Sequence, residues 1–402
     1  MLKRRYSLIA PLLALTLPAV AAPAPSDWPA VLDEAEGQTV YWNAWGGDSR
    51  TNRYIDWVAE QMQAQFNVEV AHVKLDDTSS AVSRVLAEKQ AGNDDEGSID
   101  LIWINGENFA AMRENDLLFG PFAEALPNFA LTNANDNPEV VTDFTLPTEG
   151  YESPWGKAQI TFYYDSALTD TPPQNMSALL EWAKANPGQF SYPRIPDFTG
   201  STFLKQALIE LTDQDDALYQ PVEDADFERV TAPLWAYLDK LHPHLWRSGR
   251  TFPDSGPNLR TLMSDGELSL AFSFYPTDAA VAVREYELPE SVRSYVLEGG
   301  TLGNVHFVAI PYNSPHKAGA MVLANFLLSP EAQAQKQSLS MWGDRSVLDI
   351  DQLDADARAL FEQGERHPSE LPTDALSNTL PEPHPSWMTA LQDAWLERYG
   401  VN

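Results

Sequence analysis

Hydrophobic positions along the first hundred residues change repeatedly between strand-like and helical spacing. Residues 68–75 alternate apolar and polar side chains, which predicts a strand, whereas 52–65 carry apolar residues at helical spacing. Residues 99–104 form a near-continuous apolar run, which is typical of a buried parallel strand. The predicted elements are strands at 39–42, 68–75 and 99–104 and helices at 52–65, 79–91 and 109–115. This alternation predicts a doubly wound α/β unit.

After this unit the chain changes character. Residues 117–148 are rich in Pro and Asn and predict loops. Helical patterns dominate afterwards, and the last of them covers 385–399. The strand-like runs among them are 159–164, 268–274, 292–297 and 304–310.

The amino terminus has the features of a secretory signal peptide. A short basic segment precedes an apolar run at 8–20, and small residues at 19–21 precede the predicted cleavage before Ala22. The apolar run is too short to span a membrane. We therefore expect residues 1–21 to be removed and the mature chain to be periplasmic. Its length, about 380 residues, is enough for two lobes with their own cores.

Cysteine usage and charge exclude several classes of protein. The sequence contains no cysteine, so we expect no disulfide, no thiolate metal site and no lipid anchor of the bacterial lipoprotein type. The net charge of −32 becomes −35 when the three basic residues of 1–21 are removed. Such acidity argues against nucleic acids and anionic membranes as partners. It favours a cationic ligand only weakly, because soluble exported proteins are often acidic.

Residues 304–336 carry the pattern of a known family. A strand at 304–310 ends at a proline, a turn with Asn and Ser leads into an Ala-rich helix at 317–328, and an NFLLSPEAQ-type ending starts the next helix. In this pattern the chain resembles the family 1 extracellular solute-binding proteins. The Asp-led strand at 100–103 and the aromatic strand at 162–165 match the same family. The pattern is similar to the YnjB-like subgroup, which is grouped with thiamine, iron, sulfate and polyamine binders.

The resemblance implies a periplasmic-binding-protein fold of type II. In this α/β fold two lobes, each a doubly wound sheet flanked by helices, are joined by a hinge and close around a solute. Placed on this chain, lobe one would comprise 22–156 and 304–345, and lobe two 157–303. The segment 346–402 would form C-terminal helices that pack on the lobes.

Glycines mark the predicted hinge. Gly156 lies in the first implied crossover, at 155–162, and Gly300 and Gly303 lie in the second, at 299–305. Glycine tolerates the changes in φ and ψ that a hinge requires. An ordinary turn between strands is the alternative for the second crossover.

The predicted binding site lies where loops of both lobes meet. Open α/β sheets bind ligands at the carboxyl ends of their strands. Aromatic rings and carboxylates in these loops suit an organic cation. The N-terminus of the helix near Thr199 could hold an anion, or it could be capped by a Thr or Ser side chain. Each tryptophan taken alone could belong to a core. The predicted ligand-binding residues are Trp42, Asn43, Trp45, Gly46, Gly47, Asp48, Trp103, Asn105, Glu107, Asn108, Trp155, Thr199, Gly200, Ser201, Thr202, Tyr275 and Asp278.

The resemblance also implies a function, the substrate-binding component of an ABC importer. Such a protein delivers its solute to an inner-membrane permease with its ATPase. We expect a monomer without cofactor, metal or catalytic activity, and a ligand such as thiamine or a polyamine. A secreted hydrolase with paired carboxylates and a receptor that does not transport are alternatives. Ferric binding by Tyr163 and Tyr164, or metal binding by His242 and His244, stay open as well.

Overall fold

The computed structural model describes residues 22–362 and 367–400. The predicted leader at 1–21 lies outside the described residues. Within these two ranges, no helix combines the length and the apolar character needed to cross a membrane.

Strands and helices alternate through most of the chain. The strands are β1 (Thr39–Trp45), β2 (Glu69–Leu75), β3 (Leu101–Ile104), β4 (Thr142–Asp143), β5 (Leu146–Pro147), β6 (Glu152–Gln159), β7 (Thr161–Asp165), β8 (Leu270–Ser273), β9 (Val292–Tyr295), β10 (Thr301–Ala309) and β11 (Thr379–Leu380). The α-helices are α1 (Trp28–Ala35), α2 (Ser49–Phe66), α3 (Ser79–Gln90), α4 (Gly106–Glu114), α5 (Met176–Ala185), α6 (Phe198–Leu211), α7 (Phe227–Leu241), α8 (Gly256–Ser264), α9 (Asp278–Arg284), α10 (Lys317–Leu327), α11 (Pro330–Gln337), α12 (Ala355–Ala359) and α13 (Ser386–Tyr399).

The first sheet contains the predicted α/β unit. β1 lies between β2 and β3 and runs parallel to both. β10 continues the sheet beside β3 in the antiparallel direction, and β6 and β11 both pair with β10. The order β11-β10-β3-β1-β2 brings the carboxyl ends of β1 and β3 to one edge, where the predicted site loops begin.

The second sheet is smaller. β7 lies between β8 and β9 and runs antiparallel to both. This pairing differs from the doubly wound sheet expected for each lobe. Apolar periodicity identifies a strand but carries no information about its direction, which the long helical connections decide.

Two separate hydrophobic cores lie around these sheets. The first takes its buried side chains from residues 31–155 and 305–353, and the second from 158–302 and 380–395. We call the parts of the chain around these cores the first and the second lobe. The predicted two-lobe α/β fold is confirmed. The C-terminal segment contributes to both cores, first to one and then to the other.

The chain passes between the lobes along neighbouring strands. It leaves the first lobe through β6, enters β7 after the single residue Ile160, and returns through β10. β6 and β10 form one antiparallel ladder in which Gly303 faces Gln159. The N–H of Ile160 donates to the carbonyl oxygen of Leu302 at 2.8 Å, so the two crossovers support each other.

Two of the three predicted hinge glycines lie inside this ladder. A Cβ on Gly156 would come within 1.9 Å of Nε2 of His306 and 2.1 Å of Oδ2 of Asp344, and a Cβ on Gly303 within 2.7 Å of a backbone oxygen. Their small size therefore permits close packing. Gly300 is different, because its φ of +94° favours glycine for conformational reasons. Hinge motion at these residues stays a prediction.

Gly156→Ala is expected to lower the free energy of unfolding by about 2 kcal/mol, because the added methyl group would overlap the buried contact between His306 and Asp344. Urea denaturation followed by circular dichroism measures the change. Gly299→Ala is the matched control, since no atom lies within 4 Å of a Cβ at that position. Equal stability of the two variants would contradict the packing role of Gly156.

Candidate functional site

The carboxyl end of β1 is buried, and the turn after it packs against neighbouring side chains. Trp42 is completely buried and Asn43 nearly so, whereas Trp45 keeps part of its ring exposed. Gly46 donates its N–H to β2, and a Cβ on Gly47 would come within 2.5 Å of the Trp45 ring. In this turn, Trp45 is therefore the aromatic side chain that presents surface.

Trp155 lies at the centre of an aromatic cluster in the first lobe. It is completely buried, and its ring is edge-on to Trp42 at 5.3 Å and to Trp103 at 4.8 Å. A β-bulge opposite His306 leaves Trp155 without a partner in the ladder. The structure therefore places Trp42 and Trp155 in the core, which was the alternative for each tryptophan taken alone.

The same cluster reaches the boundary between the lobes. Trp103 is 8% exposed and packs edge-on against Trp45 at 6.5 Å and Trp342 at 5.8 Å. Trp342 in turn meets the predicted site residue Tyr275 of the second lobe at 5.5 Å. A hydrogen bond of 2.7 Å from Oγ1 of Thr277 to the Gly343 carbonyl lies beside this contact. Trp342 had not been identified from the sequence.

Charged side chains join the lobes beside the aromatic cluster. We call this group the arginine clasp; its members are Asp48, Arg50, Arg260, Asp278, Glu285 and Glu287. Arg50, on α2 of the first lobe, donates to Asp278 at 2.8 Å, Glu285 at 2.8 Å and Glu287 at 2.7 Å. Arg260, on α8 of the second lobe, binds Asp278 at 2.6 Å, Asp48 at 2.9 Å and Glu287 at 2.9 Å.

The clasp compensates the charge of two predicted site residues. Burial raises the pKa of Asp48, but the charges and hydrogen bonds of Arg260 and Arg50 outweigh burial and hold this pKa below its ordinary value. Asp278 accepts from both arginines and is 7% exposed. Asp48 and Asp278 thus hold the lobes together in this structure, and neither presents a free carboxylate to a cation.

The sequence analysis missed Arg50, although one local feature could have identified it. Asp48 is the N-cap of α2 and accepts the backbone N–H of Arg50 at 2.7 Å, so Arg50 stands in the first turn. A cation there opposes the helix dipole. A basic residue in an unfavourable position suggests a partner elsewhere, but the sequence does not reveal which acids provide it.

The loop after β3 forms another part of the boundary. Asn105 donates its side-chain amide to the carbonyl oxygen of Val305 at 2.7 Å, which ties this loop to β10. Asn108 donates to Oε1 of Glu107 at 3.2 Å, whereas Oε2 of Glu107 is buried without a hydrogen-bond partner. Burial raises the pKa of Glu107 to about 7, although the positive charge of Lys205 partly opposes this effect.

The predicted anion site at the start of α6 is already occupied by a side chain. Asp197 is the N-cap and accepts the N–H of Gly200 at 3.1 Å. The residues Thr199, Gly200, Ser201 and Thr202 lie inside the helix, and the last three are buried. The helix is therefore capped by a side chain, as the alternative stated, but the capping residue is Asp197 and not Thr or Ser. Burial raises the pKa of Asp197 to about 6.

Three acids of this region form a group that spans the lobes, which we call the cleft acids: Asp77, Glu107 and Asp197. The charge of Asp77, in the loop after β2, raises the pKa of both other carboxyls. The nearby ammonium group of Lys205 is bound to Glu382 at 2.6 Å and lies 4.4 Å from the centroid of the Phe144 ring. Lys205 thus has its own carboxylate, Glu382, as a partner.

The candidate metal residues lie in packed surroundings. Nε2 of His242 is 2.6 Å from the hydroxyl oxygen of Tyr192, and burial lowers the pKa of this histidine to about 4. Tyr163 is buried in the second core, whereas Tyr164 is partly exposed, as strand alternation predicts. Across residues 22–362 and 367–400, no group of three or more His, Asp or Glu side chains is arranged to hold a metal ion.

Comparison with known proteins gives two kinds of match. Residues 57–348 match the family described as bacterial extracellular solute-binding protein. The chain is 47% identical over 377 residues to Protein YnjB of Escherichia coli strain K12, an alignment that covers 94% of this chain and 95% of that protein.

Solved structures resemble the chain at much lower identity. The spermidine/putrescine ABC transporter substrate-binding protein PotD from Streptococcus pneumoniae matches with a TM-score of 0.60 and 13% identity, covering 90% of this chain and 98% of that one. The periplasmic binding protein AfuA from Actinobacillus pleuropneumoniae, with exogenous fructose-6-phosphate bound, matches with a TM-score of 0.63 and 14% identity, covering 91% and 99%. At this level of identity, these two matches show a similar fold and nothing about the ligand.

Proposed function

Because the chain belongs to the bacterial extracellular solute-binding protein family, we propose that it is the substrate-binding component of an ABC importer. It captures a small solute between its lobes and delivers it to an inner-membrane permease. The observation that carries this proposal is the arrangement of two independent cores joined by paired crossover strands and held face to face by the arginine clasp. Lobes that meet through charge pairs can separate without unfolding either core.

We place this protein in the periplasm as a free monomer. The predicted leader at 1–21 and the family support export, and a sequence without cysteine supports release from the membrane. The permease and its ATPase are the expected partners.

The ligand we propose is a small organic cation, such as a polyamine or thiamine. The cleft acids support this class, because Glu107 and Asp197 come from opposite lobes and lie close enough to Asp77 for its charge to act on both. Exposed parts of Trp45 and Tyr275 add aromatic faces that attract cations. PotD is named as a spermidine/putrescine protein, whereas AfuA is described with a sugar phosphate, so the fold does not select the ligand.

Native mass spectrometry of the protein purified from its own periplasm tests the function and the ligand class together. We expect a bound organic cation that is released on denaturation, and small-angle scattering should show the lobes closing when it is added back. A scattering profile that stays constant across cationic, anionic and neutral metabolites would contradict a solute-binding role. Closure on an anion alone would refute the cationic ligand and leave the transport role in place.

Glu107→Gln is expected to weaken binding of the identified cation about tenfold, which corresponds to about 1.4 kcal/mol, because the amide cannot provide the charge that an ammonium group requires. Isothermal titration calorimetry measures the change, with exposed Glu34→Gln on α1 as the matched control. Trp103→Ala is a poorer test, because that ring packs against Trp155 and its loss would also destabilise the fold. Unchanged affinity in Glu107→Gln would remove Glu107 from the site.

A further inference from the structure

Three acids leave carboxyl oxygens buried without a hydrogen-bond partner. These atoms are Oε2 of Glu107, Oδ1 of Asp143 and both Oε1 and Oε2 of Glu152. Asp143 is 0% exposed and Glu152 is 1% exposed. Glu107 retains some exposure as a residue, although its Oε2 is buried. Buried oxygens without donors are rare in folded proteins and call for a physical reason.

The three acids form a series that runs from the lobe boundary into the first lobe. Glu107 lies in the first turn of α4, and the N–H of the preceding Gly106 donates to Oδ2 of Asp143 at 2.5 Å. Asp143 ends β4, and Glu152 begins β6. The charge of Glu107 acts on Asp143, and the charge of Asp143 acts on Glu152, so Asp143 neighbours both other acids.

The basic groups that face this series are already paired. Around Glu107 stand Lys205 on α6, Asp77 after β2 and Glu382 of the C-terminal segment. Around Asp143 stand Glu107, Glu382 and the amide of Asn105, and around Glu152 stand Asp143 and Arg113 of α4. Lys205 binds Glu382, and Arg113 binds Glu149. The surroundings therefore supply these acids with more negative than positive charge.

An ionised carboxylate in such a place would lose its hydration and would keep at least one oxygen without a donor. A carboxylic acid that keeps its proton avoids that cost. Burial raises the pKa of Asp143 and Glu152 well above the ordinary range, with the neighbouring acids acting in the same direction. Glu107 is the member of the series that retains contact with solvent, so it is the one able to exchange its proton at neutral pH.

We propose that cation capture by this protein is coupled to proton release at Glu107, while Asp143 and Glu152 stay protonated behind it. This inference rests on the proposed cationic ligand. An ammonium group that reaches Oε2 of Glu107 supplies the missing donor and favours the ionised form. The O–H bond of the acid breaks, its proton passes to water or buffer, and a carboxylate–ammonium pair remains. Affinity then rises with pH until Glu107 is ionised before the ligand arrives, and is constant above that point.

Infrared spectroscopy of the ligand-free protein tests which of the three carboxyl groups carry a proton. The carbonyl stretch of a protonated carboxyl is separate from that of a carboxylate. We expect protonated bands at neutral pH that Asp143→Asn and Glu152→Gln each reduce. A further protonated-carboxyl band, that of Glu107, should disappear as the pH rises through about 7. This band should be absent from the Glu107→Gln variant. Absence of the titrating band would overturn the proposal, and each replacement exchanges one neutral group for another and so preserves the fold.

Calorimetry with spermidine as the probe tests the coupling. Titrations in phosphate and in Tris differ by the heat of the protons released, and we expect about 0.9 proton per spermidine at pH 6 and about 0.1 at pH 8. Glu107→Gln should release none. Tight binding with no proton release would overturn the coupling and leave the proposed function intact. If spermidine does not bind, the polyamine assignment fails, and the infrared band at Glu107 alone supports or refutes the proton at this site.

Discussion

Replacing Arg50 by methionine is expected to separate the two lobes. Arg50 donates to three carboxylates of the second lobe, and its side chain is 3% exposed. Removing one partner of a buried ion pair costs about 3 kcal/mol. Here the loss destabilises the arrangement in which the lobes meet relative to the one in which they are apart. The ratio of closed to open molecules should fall about a hundredfold. When both proteins are saturated with the cation, small-angle scattering should show a larger radius of gyration for the variant than for the wild type.

Two further variants distinguish the clasp from general charge effects. Arg284→Met removes the same charge from an exposed position at the end of α9 and should leave the scattering profile unchanged. Arg50→Lys keeps the charge, but a single ammonium group cannot reproduce the fork that binds three acids, so an intermediate profile is expected. If cation-saturated Arg50→Met retained the wild-type radius, the clasp would not be what holds the lobes together.

Lys336→Met is expected to lower the free energy of unfolding by about 3–5 kcal/mol. Oδ2 of Asp344 accepts from Nζ of Lys336 at 2.5 Å and lies 3.0 Å from Nε2 of His306, and all three side chains are buried. Burial lowers the pKa of His306 and so disfavours the protonated imidazole. Without Lys336, the charge of Asp344 would lose its buried ammonium partner and keep only the contact with the His306 imidazole.

Urea denaturation measures this loss, and two variants interpret it. Lys240→Met changes an exposed lysine at the end of α7 and should have little effect. Adding Asp344→Asn to Lys336→Met removes the unpaired charge of the Asp344 carboxylate. It should recover part of the stability, since the amide preserves the shape of the carboxyl group. Lack of recovery in the double variant would show that packing of the lysine chain, and not its charge, stabilises the core.

The arrangement of the first lobe followed from local patterns. The predicted strand at 68–75 and the helix at 79–91 agree with β2 and α3 to within one residue at each end. Alternation and helical spacing report which face of an element is apolar, and these patterns survive folding because each element buries that face. The strand direction in the second sheet was not predictable in this way.

The candidate site was only partly predictable for a different reason. The loops after β1 and β3 were correctly placed at one edge of the first sheet, because the βαβ order fixes that edge. The partners of Asp48 and Asp278 were not predictable, since Arg50 and Asp278 are 228 residues apart. A sequence shows the charge of each side chain but not which distant charge it meets.

The sequence alone determined the α/β alternation, the family resemblance and the acidic, aromatic character of the loops, because these are properties of neighbouring residues. Only the tertiary structure decided which side chains are buried and which charges are paired. It placed Trp42 and Trp155 in the core, paired Asp48 and Asp278 with arginines, and left Oε2 of Glu107 without a donor. Burial and charge compensation depend on the distances between segments far apart in the chain, and folding sets those distances.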